Sequence, residues 1–369
     1  MILGFDSSSL KETRVAGGKF YVHGKEIEPV SYFHDELGCD LLRLRLWVDP
    51  YDEQGRPYGG GTVDLPTFIE LAKEGLQKGY RILLDYHFSD FWCDPSKQFI
   101  PKAWRGLSLE EVLVKLEEYI ESTLKAIGEE GIELYGIQIG NEITNGTLWP
   151  LAKLIDNGPG AKRGNYESLM SVLSVASKTV RRLLPRTKIL IHLERSYDQA
   201  IYQEYFDEVV AHRIDFDLIG VSYYPYWHHL FDELFANIEM LKSRYGKEVW
   251  IVETSYGFTR EAAHIAEDTA WGPLVADESD TLRIPFPLTQ DGQYEFMKRL
   301  LELSREHGVG AVIYWEPFWL PCPGLTWATY EGELYVHETE KPTHNEWANQ
   351  CLFDYEGEAT KALYIYKAK

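Results

Sequence analysis

The stretch GIQIGNEITNGTLWP, residues 136–150, combines the pattern of a buried strand with a charged end. Its first five residues are Ile and Gly with one Gln, a composition typical of a strand that is covered on both faces. The run then ends on Asn141 and Glu142. A carboxylate at the edge of an apolar core is costly unless something there uses it. The stretch therefore predicts a core strand that ends at a functional site.

Seven other runs of the chain share this pattern of apolar residues with a polar end. In chain order the eight runs are ILGFDSSS from Ile2, LLRLRLWV from Leu41, RILLDYHFS from Arg81, LYGIQIGNE from Leu134, KILIHLE from Lys188, DLIGVSYYP from Asp217, VWIVETSY from Val249 and AVIYWEPF from Ala311. Segments with the apolar spacing of helices lie between them, at 65–78, 109–127, 166–184, 230–245 and 293–307.

Strands that alternate with helices along the whole chain predict a parallel sheet of the α/β class. Eight such units that close on themselves form a (β/α)8 TIM barrel. No linker rich in Pro, Gly or Ser divides the chain. We therefore predict a single (β/α)8 catalytic domain over residues 1–369.

The polar residues of the eight runs gather at their C-terminal ends, which in such a barrel form the catalytic face. Glu142 ends the fourth run and Glu253 ends the seventh, so their side chains come from opposite sides of the barrel mouth. Two carboxyl groups facing each other are the arrangement of retaining glycoside hydrolysis, with one acid and one nucleophile. Glu194 and Glu316 also end runs, and from position alone either is a binding residue or a charge partner of an arginine.

Composition narrows the class of ligand. The 369 residues carry a formal net charge of -21, which argues against nucleic acid and against an anionic membrane surface as partners. Aromatic residues make up 14% of the chain, with 11 Trp and 24 Tyr. Flat rings suit sugars, which offer an apolar face and a rim of hydroxyls, although core packing must account for most of them.

The cysteines Cys39, Cys93, Cys322 and Cys351 form no CxxC pair and have no His at zinc-finger spacing. We predict neither a metal site nor a cofactor. The first residues, MILGFDSSSL, show no export signal, so the chain as written is expected to be cytoplasmic, or secreted with a signal removed. A monomer is expected.

Long stretches of the chain resemble glycoside hydrolase family 53, the arabinogalactan endo-β-1,4-galactanases. They are RLRLWVDP from Arg43, LLDYHFSDFWCDPSKQ from Leu83, P-x-A-W from Pro101, IQIGNEITNGTLWP from Ile137, ILIHLE from Ile189, FDLIGVSYYPYWH from Phe216, VETSYGF from Val252, DGQYEF from Asp291, VIYWEPFW from Val312 and ANQCLFDYEGEA from Ala348. The resemblance runs almost end to end and implies a retaining hydrolase that acts on galactan or galacto-oligosaccharides.

The resemblance implies roles for single residues. Glu142 matches the general acid/base and Glu253 the nucleophile, so the pKa of Glu142 should be raised while Glu253 stays ionised, held by Arg43 or Arg45. Asn141 matches the residue that bonds the sugar 2-hydroxyl.

Further substrate-binding residues are predicted with a structural alternative beside each of them. Tyr223 resembles the tyrosine that bonds the nucleophile, and Trp315 the floor under the sugar that is cleaved. The remaining candidates are Arg45 and Asp85, which could instead form a structural ion pair, His87, which with Asp85 could brace the barrel, and the loop tryptophans Trp92, Trp227 and Trp319, which could be ordinary packing.

The chain departs from the family at the loop 258–288, which lacks the compact calcium-binding run of some bacterial galactanases. Asp268, Asp277, Glu278 and Asp280 could ligate a hard cation, but a solvated acidic loop is predicted and no metal. The alternatives are an exo-acting or oligosaccharide-trimming β-galactosidase or β-glycanase of the same clan, and a non-catalytic carbohydrate-binding barrel.

Overall fold

The computed structural model describes residues 1–155, 163–263, 284–336 and 344–367. Its centre is a closed barrel of eight parallel strands, each hydrogen-bonded to its neighbours in chain order, with the last paired to the first. The strands are β1 (Ile2–Asp6), β2 (Leu41–Leu46), β3 (Arg81–Tyr86), β4 (Leu134–Ile139), β5 (Lys188–Leu193), β6 (Leu218–Ser222), β7 (Glu248–Thr254) and β8 (Ala311–Tyr314). The predicted barrel and its eight strands are confirmed.

Helices surround the barrel, and five of those that are described lie where helical spacing was predicted. The described helices are α1 (Leu10–Val15), α2 (Pro29–Asp35), α3 (Leu65–Gln77), α4 (Leu109–Glu129), α5 (Tyr166–Leu183), α6 (Gln199–Ala211), α7 (Phe231–Tyr245), α8 (Gln290–Glu306) and α9 (Tyr330–Val336). Helix α4 shows why they form: Ser108 and Glu111 make a reciprocal capping box at its start, and Val112, Leu116 and Ile120 recur every fourth residue and are buried.

Smaller elements lie outside the barrel. Among the described residues these are two short antiparallel pairs, Phe20–Val22 with Lys25–Ile27 and Gly146–Thr147 with Ala152–Lys153, and four 3-10 helices, Lys102–Trp104, Ile143–Asn145, Ala348–Gln350 and Lys361–Lys367. Among the helices that are described, none has the length and apolar character needed to cross a membrane.

The barrel interior has an apolar floor with a polar layer above it. The floor is a cluster of buried side chains from six strands: Leu41, Leu83, Leu190, Leu218, Trp250, Val252, Ala311 and Ile313. Because strand side chains alternate, the residue two positions after a floor residue also points inward and sits one layer higher. Arg43, Asp85 and His192 follow Leu41, Leu83 and Leu190 in this way and are fully buried. The alternation therefore stacks the polar site directly on the apolar floor.

Strand β7 breaks this alternation where the site needs it. Trp250 and Val252 face the floor, so regular alternation would turn Glu253 outward. The pairing with β6 shifts register between Val221 and Ser222, and the pairing with β8 shifts between Ile251 and Thr254. Such an irregularity changes the face of the sheet to which a side chain points. Here it turns Glu253 into the barrel mouth, where it meets the groups of β2 and β6.

Candidate active site

A cavity of about 590 Å³ opens at the C-terminal end of the barrel. It is lined by carboxylates, imidazoles and tryptophans from the ends of β3 to β8 and from the loops that follow them. The lining residues are His87, Trp92, Cys93, Asp94, Pro95, Ser96, Asn141, Glu142, Glu194, Tyr224, Trp227, His228, Glu253, Trp315, Trp327 and Trp347. The predicted pair Glu142 and Glu253 therefore share one cavity.

Glu142 lies at the point where the chain leaves β4. Its backbone is left-handed, with φ 50°, which is uncommon for a residue with a side chain and occurs where a site over-determines the conformation. Its Oε1 accepts a hydrogen bond from the Ser222 hydroxyl at 2.5 Å. Burial raises the pKa of Glu142 well above its ordinary value, and the charges of Glu253 and Glu194 raise it further, while Ser222 opposes them. Glu142 therefore holds a proton readily.

Glu253 faces a cation instead. Its Oε1 lies 2.9 Å from a guanidinium nitrogen of Arg43, and its Oε2 accepts a hydrogen bond from the Tyr224 hydroxyl at 3.1 Å. Burial raises the pKa of Glu253 to about 7, although Arg43 and Tyr224 both lower it. Glu142 has no such cation beside it in the described chain, so the first proton taken up by the pair goes to Glu142. The arrangement separates an acid from an ionised carboxylate.

Arg43 organises the polar layer below the pair. Its guanidinium is fully buried and lies 2.8 Å from Asp85 and 3.2 Å from Asp6. It also donates to Oδ1 of Asn141 at 2.8 Å. Several carboxylates can be buried around one cation only when each of them is paired. Burial raises the pKa of Asp85, but its pairing with Arg43 keeps that pKa below its ordinary value. The layer thus fixes Asn141 and Glu253 through a shared partner.

His192 and Ser222 form the other support, under Glu142. The Nε2 atom of His192 lies 2.9 Å from the Ser222 oxygen, while its Nδ1 is 3.1 Å from Nε2 of Gln138. Burial holds the pKa of His192 well below its ordinary value, so the ring is neutral. The tautomer with hydrogen on Nε2 donates to the Ser222 oxygen and accepts from Gln138 at Nδ1, which leaves the Ser222 hydroxyl free to donate to Glu142.

The prediction that Tyr223 bonds the nucleophile is wrong, and Tyr224 does so instead. Tyr223 points out of the barrel, donates to the carbonyl of His229 at 3.3 Å and packs on Phe231. The reason is alternation: Ser222 and Tyr224 share the inward face of the β6 end, so Tyr223 must face the helices. This signal was present in the sequence.

Three other predicted binding residues lie behind the cavity wall. Arg45 pairs with Glu316 and lies 4.5 Å from the ring of Trp92, so it braces that ring from behind. Asp85 is buried between Arg43 and His87. Trp319 is fully buried. None of the three lines the cavity, because neighbouring side chains cover them, and as substrate contacts these predictions are wrong.

More aromatic side chains line the cavity than the sequence predicted. His87, Trp92, Trp227 and Trp315 line the cavity as expected, and Trp227 is 46% exposed.

Sequence reasoning missed two tryptophans, Trp327 and Trp347. Trp327 stacks on Trp92 with ring centroids 4.4 Å apart, and Trp347 meets Trp315 edge to face at 4.6 Å. Both lie in the long segment after β8, where no strand pattern marks them.

No group of three or more His, Cys, Asp and Glu side chains that could hold a metal ion occurs within the described ranges. The candidate cation ligands Asp268, Asp277, Glu278 and Asp280 lie outside those ranges.

Comparison with known proteins links the chain to one family. The profile of glycosyl hydrolase family 53 matches residues 2–366. The endo-beta-1,4-galactanase of Bacillus subtilis (strain 168) is 29% identical, over 99% of this chain and 85% of its own. A probable arabinogalactan endo-beta-1,4-galactanase A of Neosartorya fischeri is 32% identical, over 87% of this chain and 85% of its own.

Solved structures agree with these relatives. The family 53 catalytic domain of Ignisphaera aggregans superposes with a TM-score of 0.86 at 33% identity, over 99% of this chain and 95% of that one. A fungal β-1,4-galactanase gives a TM-score of 0.75 at 23% identity, over 100% and 99%, which supports the fold.

Proposed function

The chain belongs to glycosyl hydrolase family 53, and on that premise we propose that it is an endo-β-1,4-galactanase that cleaves galactan with Glu142 as acid/base and Glu253 as nucleophile. The relatives named as galactanases supply the activity and the substrate class. The different surroundings of the two carboxylates support these roles. We further propose that residues 1–369 act as one catalytic domain.

In the first step Glu253 attacks the anomeric carbon while Glu142 gives its proton to the oxygen of the leaving sugar. Burial raises the pKa of Glu253, and Arg43, 2.9 Å away, opposes that effect and favours the ionised form of the nucleophile. Glu142 has burial and two neighbouring carboxylates to keep it protonated. The observation that carries this proposal is that the cation lies on one member of the pair and not on the other.

In the second step water attacks the anomeric carbon, which is now bonded to the carboxyl oxygen of Glu253. Glu142, now ionised, takes the water's proton. Formation of the ester removes the charge of Glu253, which had raised the pKa of Glu142. The pKa of Glu142 therefore falls once the intermediate exists, and the same group serves as base. Glu253 leaves with its carboxylate restored.

Neighbouring groups position the sugar. Asn141 lines the cavity, with its amide nitrogen donating to the Cys93 carbonyl at 2.9 Å, which orients the second N–H of that nitrogen for the sugar 2-hydroxyl. Trp315 lies under the sugar that is cleaved. Together with Trp92, Trp327 and Trp347 it forms an aromatic wall for further galactosyl units. The tyrosine that assists Glu253 is Tyr224.

Product profiling tests the proposal. Purified protein is incubated with linear β-1,4-galactan, β-1,4-mannan and β-1,4-xylan, and the products are separated by chromatography with time. Galacto-oligosaccharides of several lengths should appear early from galactan alone. Release of single galactose units as the first product, or a faster attack on mannan or xylan, would contradict the assignment.

A further inference from the structure

Glu194 is a buried carboxylate that the mechanism above does not use. It follows β5 directly, lines the cavity and is 3% exposed. Burial raises its pKa to about 7, against the lowering effect of Thr144 and Arg195. A titratable group of this kind in a cleft is a candidate for function.

The carboxylate of Glu194 lacks the hydrogen bonds that buried carboxylates normally have. Neither oxygen meets strict hydrogen-bond geometry with a group of the described chain, although the Thr144 hydroxyl and the backbone N–H of Glu194 lie near enough to lower its pKa. The Nε atom of Arg195 is 3.2 Å from Oε1 but is misaligned, and its side chain is 35% exposed, so water weakens that pairing. Leaving such oxygens unpaired costs stability. A ligand with hydroxyl donors would supply the missing bonds.

Glu194 lies near Glu142, the residue that gives its proton to the leaving group. Strand β5 is the neighbour of β4, which carries Glu142, and the two carboxylates are close enough for the charge of Glu194 to raise the pKa of Glu142. The loop after β5 also meets the loop after β6, since Tyr197 stacks on His229 at 4.2 Å. His228, beside it in that loop, lines the cavity.

The aromatic wall belongs to another side of the cavity. Trp92, Trp315, Trp327 and Trp347 lie together, with the ring pairs among them 4.4–6.4 Å apart, in segments after β3 and β8. In the barrel order, β5 and β6, which precede Glu194 and His228, lie between β4 and β7, whereas the wall follows β8 and β3. With the wall holding the galactosyl units that stay bound to Glu253, the leaving sugar, whose oxygen Glu142 protonates, lies on the side of Glu194 and His228.

We propose that Glu194 is a binding residue of the acceptor subsite, accepting hydrogen bonds from hydroxyls of the galactosyl unit that leaves or enters on the Glu142 side. The inference rests on the proposed function and deepens it. The proposal names Glu194 as the carboxylate that binds the acceptor when a sugar, and not water, enters in the second step.

The second step with a sugar acceptor is balanced as follows. Glu142 takes the proton of an acceptor hydroxyl, the acceptor oxygen bonds to the anomeric carbon, and the bond from that carbon to Glu253 breaks. Glu253 regains its charge and a longer oligosaccharide is released. Water follows the same course but does not need the subsite, so the ratio of transfer to hydrolysis reports on the subsite separately from the function of Glu142.

The test uses 4-nitrophenyl β-1,4-galactobioside as donor and galactobiose as acceptor. We measure galactotetraose and nitrophenol, take hydrolysis as the nitrophenol released minus the galactotetraose formed, and compare the ratio of transfer to hydrolysis at equal acceptor concentration for the wild type and for Glu194→Ala. One charge-assisted hydrogen bond corresponds to a ratio about tenfold lower or more in the variant. Glu239→Gln is the control, since Glu239 pairs with His307 on the outer face of the barrel and should leave the ratio unchanged.

A second readout separates binding from a structural role. Since Glu194 is buried without hydrogen bonds, Glu194→Ala should not lower Tm, and Glu194→Gln should give a reduced ratio as well. An unchanged ratio in either folded variant overturns the inference, as does a wild type that releases nitrophenol without transferring to galactobiose. A wild type that releases no nitrophenol and degrades no galactan contradicts the proposed function itself, and the inference falls with it.

Discussion

The hydroxyl of Tyr224 lies 3.1 Å from Oε2 of Glu253 and donates to it, while the adjacent Tyr223 turns its hydroxyl to the His229 carbonyl outside the barrel. Two neighbouring tyrosines, both buried, thus offer the same chemical group to opposite sides of one strand end. Only Tyr224 can affect the nucleophile.

Tyr224→Phe removes a hydrogen bond that favours the ionised form of Glu253. The pKa of Glu253 therefore rises, and because kcat/KM is lost as pH falls through that pKa, the acidic limb moves to higher pH. A hydrogen bond to a charged group corresponds to a loss of about 10- to 100-fold in kcat/KM. Tyr223→Phe is the matched control and should keep the wild-type profile. Equal effects of both variants would show that packing, not the hydrogen bond, is responsible.

Ser222→Ala should move the opposite limb. The Ser222 hydroxyl donates to Glu142 at 2.5 Å and lowers its pKa. Without it the pKa of Glu142 rises further, so the acid stays protonated to higher pH and the basic limb of kcat/KM shifts upward. Ser177→Ala, which removes a buried hydroxyl bonded to the Asp215 carbonyl, controls for loss of a serine hydroxyl elsewhere. A basic limb that stays in place or moves to lower pH would refute the assignment of Glu142.

Glu142→Gln tests the stability side of the same pKa shift. The pKa of Glu142 is raised in the folded state, so the folded protein binds more protons than the unfolded one above pH ~4.3, and stability falls as pH rises through that range. Gln imitates the protonated form. The variant should therefore unfold at a higher temperature than the wild type at pH 8 and at nearly the same temperature at pH 4. Thermal denaturation that shows a lower Tm at pH 8 would count against the raised pKa.

Trp227→Ala tests the exposed part of the aromatic lining. Trp227 is 46% exposed in the cavity, so its removal should cost little stability. Loss of a ring that stacks on a sugar should raise KM for galacto-oligosaccharides by about fivefold, since aromatic stacking contributes ~1 kcal/mol. Tyr330→Ala removes a ring that is 45% exposed on α9, outside the cavity, and should leave KM unchanged. A similar KM for both variants would remove Trp227 from the binding surface.

Much of the fold could be predicted because strand and helix periods alternate cleanly along the chain. Eight apolar runs gave eight barrel strands, and the polar ends of those runs indicated the mouth where Glu142 and Glu253 lie. The family was also correctly identified from its motifs. The acid and nucleophile roles stay predictions, which the unequal charge surroundings of the two residues support.

The side chains that were misplaced have two physical causes. Tyr223 and Tyr224 point to opposite faces of the strand end, and counting alternate residues from Ser222 predicts which one points inward. The same counting fails for Glu253 because of the register shift in β7. Trp327 and Trp347 come from loops, where no periodicity relates sequence to direction. Helices and strands could be derived from the sequence, whereas loop placement and local register could not.

The anomeric configuration of the azide product tests the central claim most directly. Glu142→Ala and Glu253→Ala are each incubated with 4-nitrophenyl β-1,4-galactobioside and sodium azide, and the glycosyl azide is examined by NMR. With Glu253 as nucleophile and Glu142 as acid/base, azide replaces water on the covalent intermediate in Glu142→Ala and gives the β-azide. In Glu253→Ala azide replaces the nucleophile and gives the α-azide. The opposite pairing of variant and anomer, or the same anomer from both variants, would contradict the assignment.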